Sequence, residues 1–364
     1  MTHSPEQITV LYVSGYSNMA GGGQVSLLLL LRLLDRQRFL PVLLCPDEGE
    51  VSRRARALGV RVDLLGAEAS IDSWEAAGHA LALRRHVRAS GAALVHCDTL
   101  YTALMSGVGL IGLRAPIVFH ARSSESGGAL DRIVPGLCKR VIAVSHATAR
   151  RFSSCAPSRV VVIHNGVDLS DFLPGTGRSA LREKLEIAQD TFVVGYAGQL
   201  VKLKGLDVLI QAFSRLRTEF SDTTLLLAGR GPDEAALRAM AGQGVHFLPF
   251  TDSMPQFYAA LDVFALPTSH QEGLSRSLIE AMACAVPAVA TPLGGNVETL
   301  VDGETGFFVP ALDAVALSQR LRDLYLAPEQ RRKMAVAARE RAEKMFDAVA
   351  CTHAVEAVYR QAVA

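Results

Sequence analysis

The chain has 364 residues, more than one typical domain, and 49% of them are hydrophobic, which supplies ample core and excludes a disordered chain. Lys and Arg (37) nearly balance Asp and Glu (36), which excludes a nucleic-acid-coating protein. The balance hides an asymmetry: residues 1–170 hold 18 Arg and Lys against 13 Asp and Glu, and the remainder 19 against 23.

Ile8-Thr9-Val10-Leu11-Tyr12-Val13 reads as a strand buried on both faces, followed by a turn over 14–23 and a helix from about Gln24 to Arg36. Further strand patterns fall at Pro41–Cys45, Val60–Leu64, Ala93–His96, Pro116–His120, Arg140–Val144 and Val160–Ile163, with helical patterns between them. The polar, Gly- and Pro-bearing passage Asp168–Asp190, with one short helix, reads as a linker. The pattern restarts at Phe192–Tyr196, Thr224–Ala228, Val245–Leu248, Val263–Leu266, Ala288–Ala290 and Gly306–Val309, and is helical from Ala311 onward. Strands alternating with amphipathic helices predict an α/β protein with two doubly wound, Rossmann-like parallel sheets. The expected boundaries are 1–170, 171–345, and a C-terminal helix over 346–364 that returns to the first domain.

The six cysteines are scattered, with no Cys-x-x-Cys pair, and are expected to be reduced core thiols in a cytoplasmic protein. No apolar run approaches membrane-spanning length, and Met1–Pro5 lacks the basic start of a signal peptide. Arg53-Arg54, Arg84-Arg85 and Arg150-Arg151 lie in the basic half. Such pairs are ordinarily solvated helix faces; the sharper expectation is peripheral contact with anionic lipid headgroups at the inner membrane face, or with acidic acceptors.

The most informative segment runs from Glu272 to Ala283 and puts Glu272 in a loop and Glu280 inside the following helix. If both sat on that helix their backbones would stand about 12 Å apart. Carboxylates that hydrolyse a glycosidic bond usually lie about 5–9.5 Å apart. The longer spacing suits gripping separate hydroxyl groups of one long ligand, with a helix N-terminus between them facing an anion. Charged helix ends are ordinarily caps and solvated surface. Here a strand precedes the loop, and another strand running into Gly294-Gly295 follows the helix, so Glu272 falls at strand carboxyl ends, where ligands of such sheets gather.

With these residues in view the chain resembles the retaining glycosyltransferases of the GT-B fold, family 4, over nearly its whole length and most densely from Gly195 to Pro310. The resemblance implies two Rossmann-like domains facing a cleft. It implies that Glu272 reaches donor-sugar hydroxyls and Glu280 the ribose hydroxyls, while backbone amides of Gly273, Leu274 and Ser275 meet the diphosphate. Gly198 to Gly205 looks like the family's diphosphate clamp: Lys204 matches its Lys, while Gln199 stands where Arg is usual, with Lys202 as a candidate substitute. Gly22 and Gly23 resemble the Gly-Gly loop that closes over the donor phosphates. His120 matches the strand-end His beside the reacting sugar, and Gly231 and Phe250 lie in turns like those that approach the nucleotide. Arg230 replaces an Asp usual there. Ser145 and Asn165-Gly166 match motifs read as mainly structural.

The implied activity is transfer of a sugar from a nucleotide diphosphate sugar, UDP- or GDP-linked, to a glycan, lipid or small-molecule acceptor, with retention of configuration. No cofactor or metal is expected. Alternatives are a nucleotide-sugar epimerase or hydrolase of the same fold, and a non-catalytic nucleotide-binding homologue, for which Gln199 is the best support. A nicotinamide dehydrogenase is disfavoured because no Gly-x-Gly-x-x-Gly follows the first strand.

Overall fold

The structure is a computed structural model that describes residues 7–19, 21–66, 75–249 and 254–364, with 75–77 as backbone alone. The chain forms two compact units, Met1–Gly166 with Ala348–Ala364, and Val167–Asp347.

In the first unit seven strands are described: β1 (Ile8–Val13), β2 (Phe39–Cys45), β3 (Arg61–Leu64), β4 (Leu94–Cys97), β5 (Ile117–Ala121), β6 (Arg140–Ala143) and β7 (Val160–Val162). All pairs are parallel, in the order β3-β2-β1-β4-β5-β6-β7. β1 is apolar at every inner position because both faces are covered. Val10 and Tyr12 enter one core with Leu43, Val118 and Tyr359, while Leu11 and Val13 enter the other with Val42, Val95 and Phe119. Val355, Val358 and Tyr359 come from the C-terminal helix Ala348–Val363, which packs on this unit.

The first helix spans Gly22–Leu33, so Gly22 and Gly23 occupy its opening turn rather than the loop expected for them. The Gln24 side-chain carbonyl accepts from the Gly21 amide at 2.9 Å, which starts the helix early. It ends before Arg36 because the Asp35 amide is claimed by the buried Glu356 carboxylate at 2.8 Å, a partner 321 residues away.

The second unit carries β8 (Phe192–Ala197), β9 (Thr223–Ala228), β10 (Val245–Leu248), β11 (Val263–Leu266), β12 (Ala288–Ala290) and β13 (Gly306–Phe308), all parallel, in the order β10-β9-β8-β11-β12-β13. The passage read as a linker is a packed part of this unit. Its helix Arg178–Lys184 buries Arg182 completely. That guanidinium donates to the carbonyls of Ala260, Ala188, Gln189 and Thr191 and to the Asp262 carboxylate at 2.8 Å. A buried charge is tolerated only with such a full set of partners.

Each sheet reverses its winding once, between β1 and β4 and between β8 and β11. The loops leaving the carboxyl ends there carry most of the residues singled out above.

Candidate active site

In the second unit, three loops interlock. Gly198–Gly205 leaves β8, 267–275 leaves β11 and 291–295 leaves β12. The Gly295 amide donates to the Glu272 carbonyl at 2.9 Å. Gly294 has φ +59, and a Cβ there would overlap the same carbonyl oxygen, so only glycine lets these two loops close. The Ser269 amide donates to the Leu203 carbonyl at 2.9 Å, tying the first loop to the second.

These ties bring together two predicted residues 68 positions apart. Lys204 Nζ donates to Glu272 Oε1 at 2.6 Å, with both side chains mostly shielded from water. His270, which sequence reasoning missed, holds its Nε2 3.9 Å from the same oxygen, while its Nδ1 meets Thr268 Oγ1 at 2.8 Å. Gln199 is exposed, and its carbonyl accepts from the buried Tyr196 hydroxyl at 2.9 Å. Burial, and then the Glu272 charge, push that phenol's pKa up. Lys202 is exposed too; its backbone amide donates to Asp233 Oδ2 at 2.5 Å. Gly231 packs against the Leu200 carbonyl, where a Cβ would not fit.

Gly273, Leu274 and Ser275 lead into the helix Arg276–Ala283, with Ser275 at its N-cap position. The helix is short, and its first amides face the loop between the two glutamates. Glu280, one turn in, is buried and held from two sides: Tyr258 Oη donates to its Oε2 at 2.9 Å and Arg276 Nη2 to its Oε1 at 2.9 Å. Each carboxylate oxygen retains accepting capacity for a further hydroxyl. Arg276 was within reach of sequence reasoning, as the i−4 neighbour of Glu280. Tyr258 carried no local signal. Phe250 lies outside the described residues.

In the first unit, His120 is the last residue but one of β5 and is 5% exposed. Its Nδ1 lies 3.3 Å from Arg122 Nη2, and Arg122 Nη1 donates to Asn165 Oδ1 at 3.1 Å. Burial first, then the Arg122 charge, hold the His120 pKa well below the ordinary range, so the ring is neutral. A neutral Nδ1 facing a guanidinium accepts, which puts the hydrogen on Nε2. Asn165 thus does more than turn the chain. Ser145 is a cap: its Oγ accepts from the Thr148 amide at 3.0 Å. Asp98 follows β4, accepts from the Gly15 amide at 3.0 Å, and was not singled out by sequence reasoning. Gly22, exposed, and Gly23, half-buried, open the twelve-residue first helix.

A cavity of about 540 Å³ lies away from these residues, at the amino ends of β5 and β6, where Ile111, Arg114, Leu137 and Lys139 are among its lining. Among the described residues no helix is long and apolar enough to cross a membrane.

Two Rossmann-like units with parallel sheets define the GT-B fold. The family described as Glycosyl transferases group 1 matches residues 177–341, and the one described as Glycosyltransferase Family 4 matches residues 20–171. Both units of the chain thus match glycosyltransferase family models, one each. It is 36% identical over 213 residues to a GDP-mannose-dependent alpha-(1-6)-phosphatidylinositol monomannoside mannosyltransferase of Mycolicibacterium smegmatis, covering 54% of this chain and 55% of that protein. It is 32% identical over 230 residues to a D-inositol 3-phosphate glycosyltransferase of Saccharomonospora viridis, covering 59% and 53%. The chain thus spans a little over half the length of these relatives. Among solved structures, Anabaena HepE in complex with UDP-glucose superposes with a TM-score of 0.86 at 22% identity, covering 98% of this chain and 100% of that one. Sucrose-phosphate synthase from Thermosynechococcus elongatus gives a TM-score of 0.80 at 22% identity, covering 98% and 99%.

Proposed function

We propose that the chain transfers a sugar from a UDP- or GDP-linked diphosphate donor to a glycan, lipid or small-molecule acceptor, with retention of configuration and without a metal ion. The observation that carries the reading is the pairing of Lys204 with Glu272 at 2.6 Å beside the helix that holds Glu280. One ammonium, one helix N-terminus and two carboxylates match one diphosphate flanked by two sets of hydroxyls. The mannosyltransferase and glycosyltransferase names of the relatives support a nucleotide-sugar donor.

In this reading Lys204 meets the leaving diphosphate, with the amides of Gly273, Leu274 and Ser275, while Glu272 holds sugar hydroxyls and Glu280 holds the ribose. Gln199 and Gly231 border the same loops, and Gly22 and Gly23 are the phosphate-binding candidates of the first unit. The acceptor oxygen bonds to the anomeric carbon on the face that the diphosphate leaves. The bond to the diphosphate oxygen breaks, and the acceptor's proton passes to a donor phosphate oxygen. No protein nucleophile is needed. A neutral His120 orients the sugar by hydrogen bonding, so His120→Ala is expected to cut turnover.

The test is a thermal-shift screen of UDP, GDP and ADP and their sugars, followed by product analysis with anomeric assignment. Nucleotide release without transfer would favour a hydrolase or epimerase, and binding without release a non-catalytic homologue. Turnover is expected to survive EDTA; strict dependence on a divalent ion would overturn the metal-free part. Exposed Ile111 and Leu137 beside Arg114 and Lys139 support peripheral contact with an anionic bilayer by a cytoplasmic protein. Co-sedimentation with phosphatidylglycerol vesicles but not phosphatidylcholine vesicles is the expected result.

A further inference from the structure

The first unit carries a row of polar groups that the donor reading uses only at His120. Register pairs Val13 with Cys97 and Cys97 with Phe119, so Ser14, Asp98 and His120 follow one another across β1, β4 and β5. Neighbouring strands lie about 4.8 Å apart. Tyr12 pairs with His96 and His96 with Val118, and residues two apart share a face. The row therefore continues the face that carries Tyr12 and His96, at the switch point between β1 and β4.

Gly15 seals its edge. The Gly15 amide donates to Asp98 Oδ1 at 3.0 Å, and a Cβ on Gly15 would stand 2.8 Å from Thr99 Cγ2. Two features of the row lack an internal explanation. His120 Nε2 is buried with no hydrogen-bond partner among the described residues, and a buried N–H of that kind ordinarily has one. Asp98 is a carboxyl drawn out of water, and burial pushes its pKa up to about 6 against the opposing Gly15 amide, Arg122 charge and Ser14 hydroxyl.

We propose that Asp98, with the Ser14 hydroxyl beside it, is the residue that anchors the acceptor, binding a hydroxyl of a neutral polyol or sugar ring next to His120. The proposal rests on the transfer reading above. A carboxylate rejects a phosphate and accepts strongly from hydroxyls, so it selects the uncharged, hydroxyl-bearing part of the acceptor. The charged or titratable groups around it are Arg122 from the loop after β5, the Cys97 thiol, the Cys45 thiol at the end of β2, and His96 and His120. Burial raises both thiols, and holds His96 down to about 3 and His120 well below its ordinary value. Asp98 is thus the group of this row that titrates between pH 5 and 7.5.

The test measures binding of myo-inositol, glycerol and the methyl α-glycosides of glucose and mannose to the full chain by titration calorimetry. At least one is expected to bind near pH 7.5 and to weaken about tenfold near pH 5, where about a tenth of the carboxyl remains ionised. Asp98→Asn keeps an acceptor for the Gly15 amide but loses the charge; it is expected to weaken binding about tenfold and to flatten the pH dependence. If that variant fails to fold, Ser14→Ala, which removes a group that lowers the Asp98 pKa, is expected to move the pH midpoint upward. A panel that never binds, binding indifferent to pH, or unchanged affinity in Asp98→Asn would overturn the proposal. A shift of the melting temperature by UDP or GDP, read on the same sample, separates the two readings. With the shift present, a failed panel defeats this inference alone; with it absent, the transfer reading falls.

Discussion

The two units place their candidate groups at the same position in a doubly wound sheet and treat them in opposite ways. In the second unit the charges neutralise one another: Lys204 with Glu272, and Arg276 and Tyr258 with Glu280. In the first unit, the half-buried Asp98 and the buried His120 have fewer partners, and desolvation moves both away from their ordinary pKa values. The difference fits the ligands proposed for each end. A diphosphate carries charge, and ion pairs hold the groups that will meet it at a tolerable desolvation cost. Neutral hydroxyls need single donors and acceptors that are left open, at a cost in stability borne by the fold.

The sharpest way to break this contrast is to remove half of the second unit's pair. Glu272→Ala and Lys204→Ala are each expected to lower turnover by about 100-fold or more while the circular dichroism stays native. Near-normal turnover in either variant would remove the pair from the mechanism. Next in size is Gly294→Ala, which forces a side chain into a left-handed conformation and against the Glu272 carbonyl. A loss of about 1–3 kcal/mol in unfolding free energy is expected, together with weaker stabilisation by nucleotide. An unchanged melting temperature would mean that the loops part without cost.

Tyr258→Phe sharpens the same side. It removes one donor to Glu280 and is expected to weaken nucleotide diphosphate binding by about fivefold, from a hydrogen bond worth about 1 kcal/mol. Arg276→Gln should weaken it more, and the double variant by less than the sum, because both act through one carboxylate. Strictly additive losses would show that Glu280 is not their common target.

The smallest effect concerns stability in the first unit. Because the folded Asp98 pKa is raised from 3.8 to about 6, the folded state holds its proton more tightly. Stability from this group is therefore present below the unfolded value and declines as pH rises toward 6. A two-unit shift sets a ceiling of about 3 kcal/mol, and partial exposure brings it down to about 1. Asp98→Asn is expected to melt above the unsubstituted protein at neutral pH, with the gap closing near pH 4. A gap that stays constant with pH would contradict the desolvated carboxyl.

Strand positions were legible because apolar runs such as Ile8–Val13 and Phe192–Tyr196 are dictated by burial on both faces of a parallel sheet. Glu272, Lys204 and His120 were legible because each follows or ends such a run. The helix opening at Gly22 was missed because glycine predicts a loop and the Gln24 side chain overrides it. The passage 168–190 looked like a linker because its composition is polar, while the partners that bury Arg182 include Ala260 and Asp262, far along the chain. Arg276 stood in plain view beside Ser275, and Asp98 just past the strand pattern Ala93–His96. Tyr258 did not, since no local pattern reports a contact with Glu280 across 22 residues.

Periodicity and punctuation in the amino-acid order were enough to specify two parallel sheets and the loops at their carboxyl ends. They act locally, through pleat, pitch and the conformations allowed to glycine. Which charges pair, which hydroxyl steadies Glu280, and which carboxyl is partly withdrawn from water were decided by tertiary structure alone. Desolvation and hydrogen bonding depend on what surrounds a group in space, and that is set by residues far apart in sequence.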